Sequence, residues 1–436
     1  MKNSKIVKLI FLLSLYFSSI NAEILVFSEA YKLALENAND IKASVYSSES
    51  DKEKITQEKS QLYPQVNLSA YYKKTEYVVN PSENKIEQGL INYTVSLKQS
   101  VYNPEVYSRI DTQEARSEYS ITRVELEKEE LAKNVFNAYL DILKSKNKIE
   151  LLKSYLEYNK YKLQELTKRY DMHLSNKMDL LQIKVNYNSA QIDLNKEEKL
   201  FKVYDLKLKQ FIGDAEYEFP TIELDKPILE MIASMRERVL SVDESSVNLK
   251  VKQAQIALKI SKGDISNAKS GHLPKVNLDA SYAKYDTDTP TTDSPYNNIK
   301  SVMLTLNIPI YSGGYVSSKV ASSQLMYKAA NEDLISTKKQ VKVAYNESLA
   351  IFEASTESVS MYKEAVESAE LYVEAITQGY EHGLKSIIDL SDAKNKLYEV
   401  KYKYIENIYE MVDSYMGLLI ITDNFEDIEL LDKLVK

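Results

Sequence analysis

The side chains able to do chemistry are few, and their spacing argues weakly for catalysis. In the stretch YEHGLKSIIDLSDAKNKLYEVKYKY (380–404), Asp389 and Asp392 stand three residues apart, which puts both carboxylates on one face of a helix. Paired carboxylates can divide general-acid and general-base work, but no pattern around these two supplies a substrate pocket. In a chain with 64 acidic residues, solvated surface acids are the plain alternative. The three histidines, His173, His272 and His382, lack metal-ligand spacing, although His173 and His382 both fall near helical tips. Gly313–Gly314 is explained by a strand-to-helix junction and needs no phosphate. Cysteine is absent, which removes thiolate metal sites, disulfides and lipid attachment at an N-terminal cysteine. The chain does not read as an enzyme, and it calls for no cofactor or metal.

The elements that carry these residues are long. From Glu105 to Ile212 the chain contains neither glycine nor proline, and no proline follows Pro309. With breakers absent and Lys, Glu, Leu and Ala abundant, helix is the default. One helix over ~105–168 would be about 65 residues and close to 100 Å long. It turns around Tyr170–Lys177 and returns over Met178–Ile212. A second pair turns at Gln378–Lys385, where Gly379 and Gly383 tolerate a left-handed backbone.

The two pairs are copies. The ladder Ile149, Leu152, Leu156, Asn159, Leu163, Leu166, Tyr170 recurs as Val359, Tyr362, Val366, Ala369, Val373, Ile376, Tyr380, every rung 210 positions on. Its alternating steps of three and four favour a left-handed supercoil, so the ladders read as coiled-coil cores. YPQVNLSAYY (63–72) returns at the same offset as LPKVNLDASY (273–282). The chain is thus an internal tandem repeat. The first unit spans 23–226, with a helix, a β-hairpin over 63–102 and a helical hairpin over 104–212. The second spans 227–436, with a helix, a β-hairpin over 273–311, a helical hairpin over 314–421 and a C-terminal tail. Residues ~205–245 and the tail after Ile421 fit neither pattern and are assigned to a small belt around the helices.

Four segments alternate with period two: Val66, Leu68, Ala70, Tyr72; Ile91, Tyr93, Val95, Leu97; Val276, Leu278, Ala280, Tyr282; and Val302, Leu304, Leu306, Ile308. These are strands with one apolar and one polar face, joined in pairs by polar loops over 80–88 and 286–298. Tyr71, Tyr72, Tyr102, Tyr282 and Tyr311 lie near strand ends, where an aromatic girdle would sit. At about ten residues each, the strands match a tilted bilayer crossing. Four strands cannot close a membrane barrel, whereas three copies would give twelve.

Lys2, Lys5 and Lys8 precede the apolar run Leu9–Phe17, and Ala22 offers a small residue before a cut. Residues 1–22 therefore read as a secretory signal peptide. Its removal takes three lysines and no acids, moving the formal charge from −8 to −11. Such acidity argues against a nucleic-acid partner. No later stretch is apolar enough for a transmembrane helix.

The order helix, β-hairpin, long helical hairpin, twice over, resembles the TolC-like outer-membrane efflux proteins. The resemblance rests on the strand entries at Pro64 and Pro274, on IPIYSGGYVSSKVASSQ (308–324) and on the hairpin tip at 380–404. It implies a mainly α fold with β: antiparallel helical hairpins forming an α-barrel in the periplasm, continued by a trimeric 12-stranded transmembrane β-barrel in the outer membrane. It further implies a homotrimer opened by a periplasmic adaptor and an inner-membrane RND or ABC transporter, as the exit duct of a tripartite efflux or type I secretion system. Cargo, whether drug, metal or protein, would be chosen by those partners. Asp389 and Asp392 match an acidic ring at the periplasmic constriction. Tyr380 and Lys385 match a gate latch whose acceptor is Asp179. At the first tip His173 stands where the family carries glycine. The competing reading is an exported coiled-coil scaffold or adaptor with a soluble β-module.

Overall fold

The computed structural model describes residues 24–80, 83–221, 248–287 and 298–422, together with Ser234, Met235 and Glu237. The signal-peptide reading, most of the belt and the C-terminal tail lie outside the described residues.

The described elements fall into two groups of like order. The first unit comprises α1 (Phe27–Asn37), α2 (Asn39–Ser60), β1 (Gln65–Asn80), β2 (Glu83–Tyr102), α3 (Pro104–Asp171) and α4 (Lys177–Ile212). The second comprises α5 (Leu249–Ser270), β3 (Lys275–Thr287), β4 (Asn298–Asn307), α6 (Tyr315–Glu381) and α7 (Ile387–Ile421). The starts of α2, β1 and α4 each recur 210 positions later as the starts of α5, β3 and α7. Proline at the first position of α3 suits a helix start, because its missing N–H would be unpaired there anyway. Gly314, left-handed at φ 81, performs the corresponding entry into α6.

Three expectations are corrected. Residues 80–88 are not an extended loop: β1 runs to Asn80 and β2 starts at Glu83, with Tyr77 opposite Ile86 and Lys74 opposite Gly89. The polar composition there reflects a two-stranded ribbon carrying cross-strand charge pairs such as Lys74–Glu87 at 2.7 Å, not loss of pairing. Residues 205–212 are not belt but the last turns of α4, because Leu208 and Ile212 are buried against its neighbours. Gly213, at φ 94, then ends the helix. At the other end of the second hairpin, β4 stops at Asn307, short of the expected 311.

All four strands form one antiparallel sheet in the order β1-β2-β3-β4. The two hairpins are therefore joined through β2 and β3, from Leu90↔Thr287 to Tyr102↔Val276. Strands β1 and β4 are the edges. The apolar face lies open, with Val66, Leu68, Val302, Leu304 and Leu306 all exposed, whereas Asn92 on the polar face is buried.

At the base of the sheet, Lys275 of β3 bonds Glu105 of α3 at 2.5 Å, and Arg109 bonds both Glu105 and Glu58 at 2.9 Å. The Lys275 bond holds the Glu105 carboxyl below the usual range, with Arg109 adding to it. This ties the second unit's strand β3 to helices α2 and α3 of the first unit.

Helix α3 is the centre of the helical layer, packed by α1, α2, α4, α5 and α7, while α7 also packs α6. The largest core joins Leu25, Phe27 and Ala30 of the N-terminal segment to Phe136, Tyr139 and Leu143 of α3, Leu208 of α4, and Ile408, Val412 and Tyr415 of α7. A smaller core sits at the tips.

Helices α3 and α5 approach closely at Gly263, where a Cβ would lie 2.4 Å from Thr112 Oγ1 and 3.3 Å from Thr112 Cβ. Threonine is stiff at χ1, so the helices themselves would have to separate. Gly263→Ala is expected to cost about 1–3 kcal/mol. Adding Thr112→Ala should restore most of that. Denaturation followed by circular dichroism checks it, and a double variant no better than the single would refute the contact.

Candidate gate at the hairpin tips

Both tips are built alike. Helix α3 ends at Asp171 and α4 begins at Lys177; α6 ends at Glu381 and α7 begins at Ile387. Each turn passes through one left-handed residue, His173 at φ 59 in the first and Gly383 at φ 75 in the second. The returning helices are capped in related ways. The Asn176 side chain accepts from the Asp179 N–H at 2.8 Å. Ser386 and Asp389 form a reciprocal capping box: Asp389 N–H donates to Ser386 Oγ at 3.1 Å, and Ser386 N–H and Oγ–H both donate to Asp389 Oδ2 at 2.8 Å.

Asp389 therefore has a local task. The Ser386 backbone N–H, then its hydroxyl, then the nearby Lys385 charge hold this carboxyl below the usual carboxylate range, so it stays ionised. Asp392 follows one turn later and is exposed. The residues around them face inward: Ile387, Leu390 and Ala393 pack with Leu166, Ile183, Val373 and Ile376 in a core that both hairpins share. Ser391, also buried, takes a hydrogen bond from Asn186 of α4.

The latch residues are placed as follows. Tyr380 is half-buried at the end of α6, and its hydroxyl accepts from Arg169 Nη1 of α3 at 3.2 Å. The Lys162 ammonium lies 5.3 Å from the centre of the Tyr380 ring. Glu165 bonds Lys162 at 2.8 Å and lies 3.7 Å from Arg169. Lys385 folds back on its own turn, where a Cβ on Gly379 would come within 2.8 Å of its Cγ. Among the described residues no hydrogen bond or ion pair joins Asp179 to Tyr380 or Lys385.

Arg169 and Lys162 were not singled out from sequence. A signal existed: Arg169 is one of six arginines among 56 cationic residues, and it directly precedes the tip tyrosine Tyr170. An arginine where the chain otherwise uses lysine marks a site wanting a fixed donor geometry.

The seam continues above the tips. Tyr155 of α3 stacks on Tyr398 of α7 at 4.9 Å and bonds Asn395. The Lys394 ammonium sits 4.9 Å over the Tyr158 ring, and Lys148 sits 4.8 Å over Tyr402 while pairing with buried Glu197 at 3.0 Å. Asn147 donates to the Tyr409 hydroxyl at 3.1 Å. Burial depresses the Lys394 ammonium, helped by repulsion from Lys401 and Lys162. Burial likewise pushes the Tyr398 hydroxyl up. Inside the first hairpin the packing differs: Ile149 and Leu152 meet Leu194 in an apolar contact. Asn159, 1% exposed within the ladder, satisfies its amide on the Tyr155 carbonyl at 2.8 Å, as a buried asparagine that marks coiled-coil register does. The hairpins thus meet through apolar cores at the tips and toward the far end, and between those cores the seam is held by individual polar and aromatic contacts.

Known proteins share this fold. The sequence profile of a family described as "Outer membrane efflux protein" matches residues 30–214 and again 242–421. Outer membrane protein TolC of Vibrio cholerae is 24% identical over 399 residues, covering 90% of this chain and 89% of that protein. Alkaline protease secretion protein AprF of Pseudomonas aeruginosa is 20% identical over 413 residues, covering 90% and 84%. Among solved structures, CusC superposes with a TM-score of 0.79 at 12% identity, over 91% of each chain. The outer membrane protein VceC of Vibrio cholerae gives 0.77 at 13% identity, over 91% of this chain and 95% of that one. With two matched copies that together span most of its length, the chain belongs to the outer membrane efflux protein family.

Proposed function

We propose that three copies of this chain form a passive outer-membrane exit duct. The observation that carries this reading is the open sheet: β1 and β4 are unpaired edges, and the apolar face between them is exposed. An uncovered edge and an uncovered apolar face are both unfavourable in water. Pairing β1 of one copy with β4 of the next, inside a bilayer, removes both at once. Three copies give twelve strands, wide enough for a lumen. The helical layer supports the same closure. Its marginal helices carry unpartnered apolar side chains: Met178, Leu181 and Val185 on α4, and Leu325, Val343 and Leu371 on α6.

In this reading the helices form a periplasmic tube whose tips are the gate. Asp389 and Asp392 contribute six carboxylates to an acidic ring. Asp179 of one copy is the acceptor for Tyr380 and Lys385 of the neighbouring copy, while Arg169–Tyr380 holds the seam within each copy. A periplasmic adaptor, coupled to an inner-membrane RND or ABC transporter, opens the gate and supplies the energy.

Single-channel recording in a planar bilayer tests both parts. The wild type should give a low, cation-selective conductance, and the Asp389→Ala/Asp392→Ala variant should lose selectivity several-fold. Absence of any conductance, with a monomeric protein that stays out of membranes, would reject the duct. An unchanged double variant would reject the acidic ring alone.

A further inference from the structure

We infer that a groove between α3 and α4 is a docking site for an acidic peptide segment of a partner protein, entered by one aromatic or branched apolar side chain. The groove encloses a cavity of about 540 Å³, within the range of small binding pockets. Its floor is apolar: Phe201 and Phe219 meet edge to face with ring centroids 6.3 Å apart, and Tyr217 lies beside them. Phe219 is buried, whereas Phe201 and Tyr217 are half-buried. The floor is also fixed in place. The Lys146 ammonium donates to the Phe219 carbonyl, and Leu25 N–H donates to the Glu218 carbonyl at 2.9 Å.

The rim is almost wholly of one sign. Lys146 and Lys153 of α3 and Lys199 and Lys202 of α4 line the groove, against a single acid, Glu198. Lys153, Lys199 and Lys202 are exposed. Among the described residues none of the four lysines forms an ion pair. The neighbouring Glu197 is engaged instead by Lys148 at 3.0 Å and Ser145 at 2.8 Å. This cluster stands against the rest of the chain, whose formal charge is −8. Nor does the helical pattern demand it, since Thr356, Tyr409 and Val412 stand 210 positions after Lys146, Lys199 and Lys202.

Lysine is a point charge on a flexible stem, so the rim selects charge rather than the fixed geometry of one carboxylate or phosphate. The cations are also spread out: from Lys146 to Lys153 is about 10 Å along the helix. Residues three apart in an extended peptide are separated by about the same 10 Å. A peptide with carboxylates at both ends of that span and an apolar side chain between them meets rim and floor together. The groove lies about 30 Å along α3 from the tips. Its occupant therefore grips the protein apart from the gate.

The test is fluorescence anisotropy of the full chain in detergent. The probe is a labelled peptide of about ten residues, with a central phenylalanine and two glutamates on either side. Micromolar binding is expected at about 0.1 M salt, weakening steeply as salt rises. Lys153→Gln/Lys199→Gln/Lys202→Gln should weaken it about tenfold or more. Lys328→Gln/Lys338→Gln/Lys339→Gln makes the same charge change on exposed lysines of α6 and should keep affinity within about twofold. Alanine in place of the peptide's phenylalanine should cost several-fold, an arm that needs no protein variant. Absence of binding overturns the proposal, as does equal loss in both triple variants, the mark of general charge attraction. Capture on purified peptidoglycan that the first triple variant loses, with no peptide binding, would assign the groove to a glycan and overturn it too. Dissociation of an assembled wild type by the same variant, again with no peptide binding, would assign the lysines to a contact between copies. Conductance judges the duct separately, so the two readings can fail independently.

Discussion

In the proposed duct, Arg169→Ala should shift the tip toward its open form by roughly tenfold to a hundredfold. Arg169 Nη1 donates to Tyr380 Oη at 3.2 Å across the seam between hairpins. A hydrogen bond from a charged donor contributes about 1.5–3 kcal/mol when sheltered. The Arg169 side chain is 43% exposed, so solvent screening brings each contact down to roughly 0.5–1 kcal/mol. In the proposed trimer three copies act on one closed-to-open equilibrium, and their sum of about 1.5–3 kcal/mol sets the range, at 1.4 kcal/mol per factor of ten. Tyr380→Phe removes only the acceptor and should reproduce most of the effect. The fraction of time spent in the high-conductance state reads both variants directly. If both gate like the wild type, Arg169–Tyr380 is a surface contact and the tip is held elsewhere.

Phe136→Ala should be the most destabilising of the single substitutions considered, at about 3–5 kcal/mol. Phe136 is 2% exposed and meets Phe27 edge to face, with ring centroids 5.0 Å apart and planes at 78°. Phe27 is also held 6.1 Å from Tyr139, whose hydroxyl donates to the Leu25 carbonyl at 2.8 Å. Removing the Phe136 ring opens a cavity under α1, because the long helix α3 holds the backbone on its side and cannot collapse into it. Phe136→Leu should cost about a third as much. A second readout is local: α1 should become sensitive to protease before α3 does. Equal costs for the two variants would mean that the site repacks and that α1 is held by its other contacts.

Much of this protein was legible in its sequence because much of it is periodic. The helical hairpins and their turn positions, and the alternating strands, all come from signals that act within a few residues: breakers, 3.5-residue ladders and period-two faces. The 80–88 segment shows where composition misleads. The stretch is polar at most positions and reads as a loop, though β1 and β2 stay paired from Asn80↔Glu83 inward.

What only the tertiary structure decided is pairing between elements distant in the chain. Nothing local joins β2 to β3, or Arg169 to Tyr380, which are 211 positions apart. The sequence placed Asp389 and Asp392 on one helical face, and only the folded tip showed Asp389 capping its own helix while Asp392 stands free of that task. The tyrosine seam, too, was invisible to periodicity, because Tyr155, Tyr158, Tyr398 and Tyr402 serve as half-buried donors and ring faces rather than as ladder rungs. Local patterns report which face of an element is turned inward. Which partner that face meets is set by the packing of whole helices, and that information exists only once they are packed.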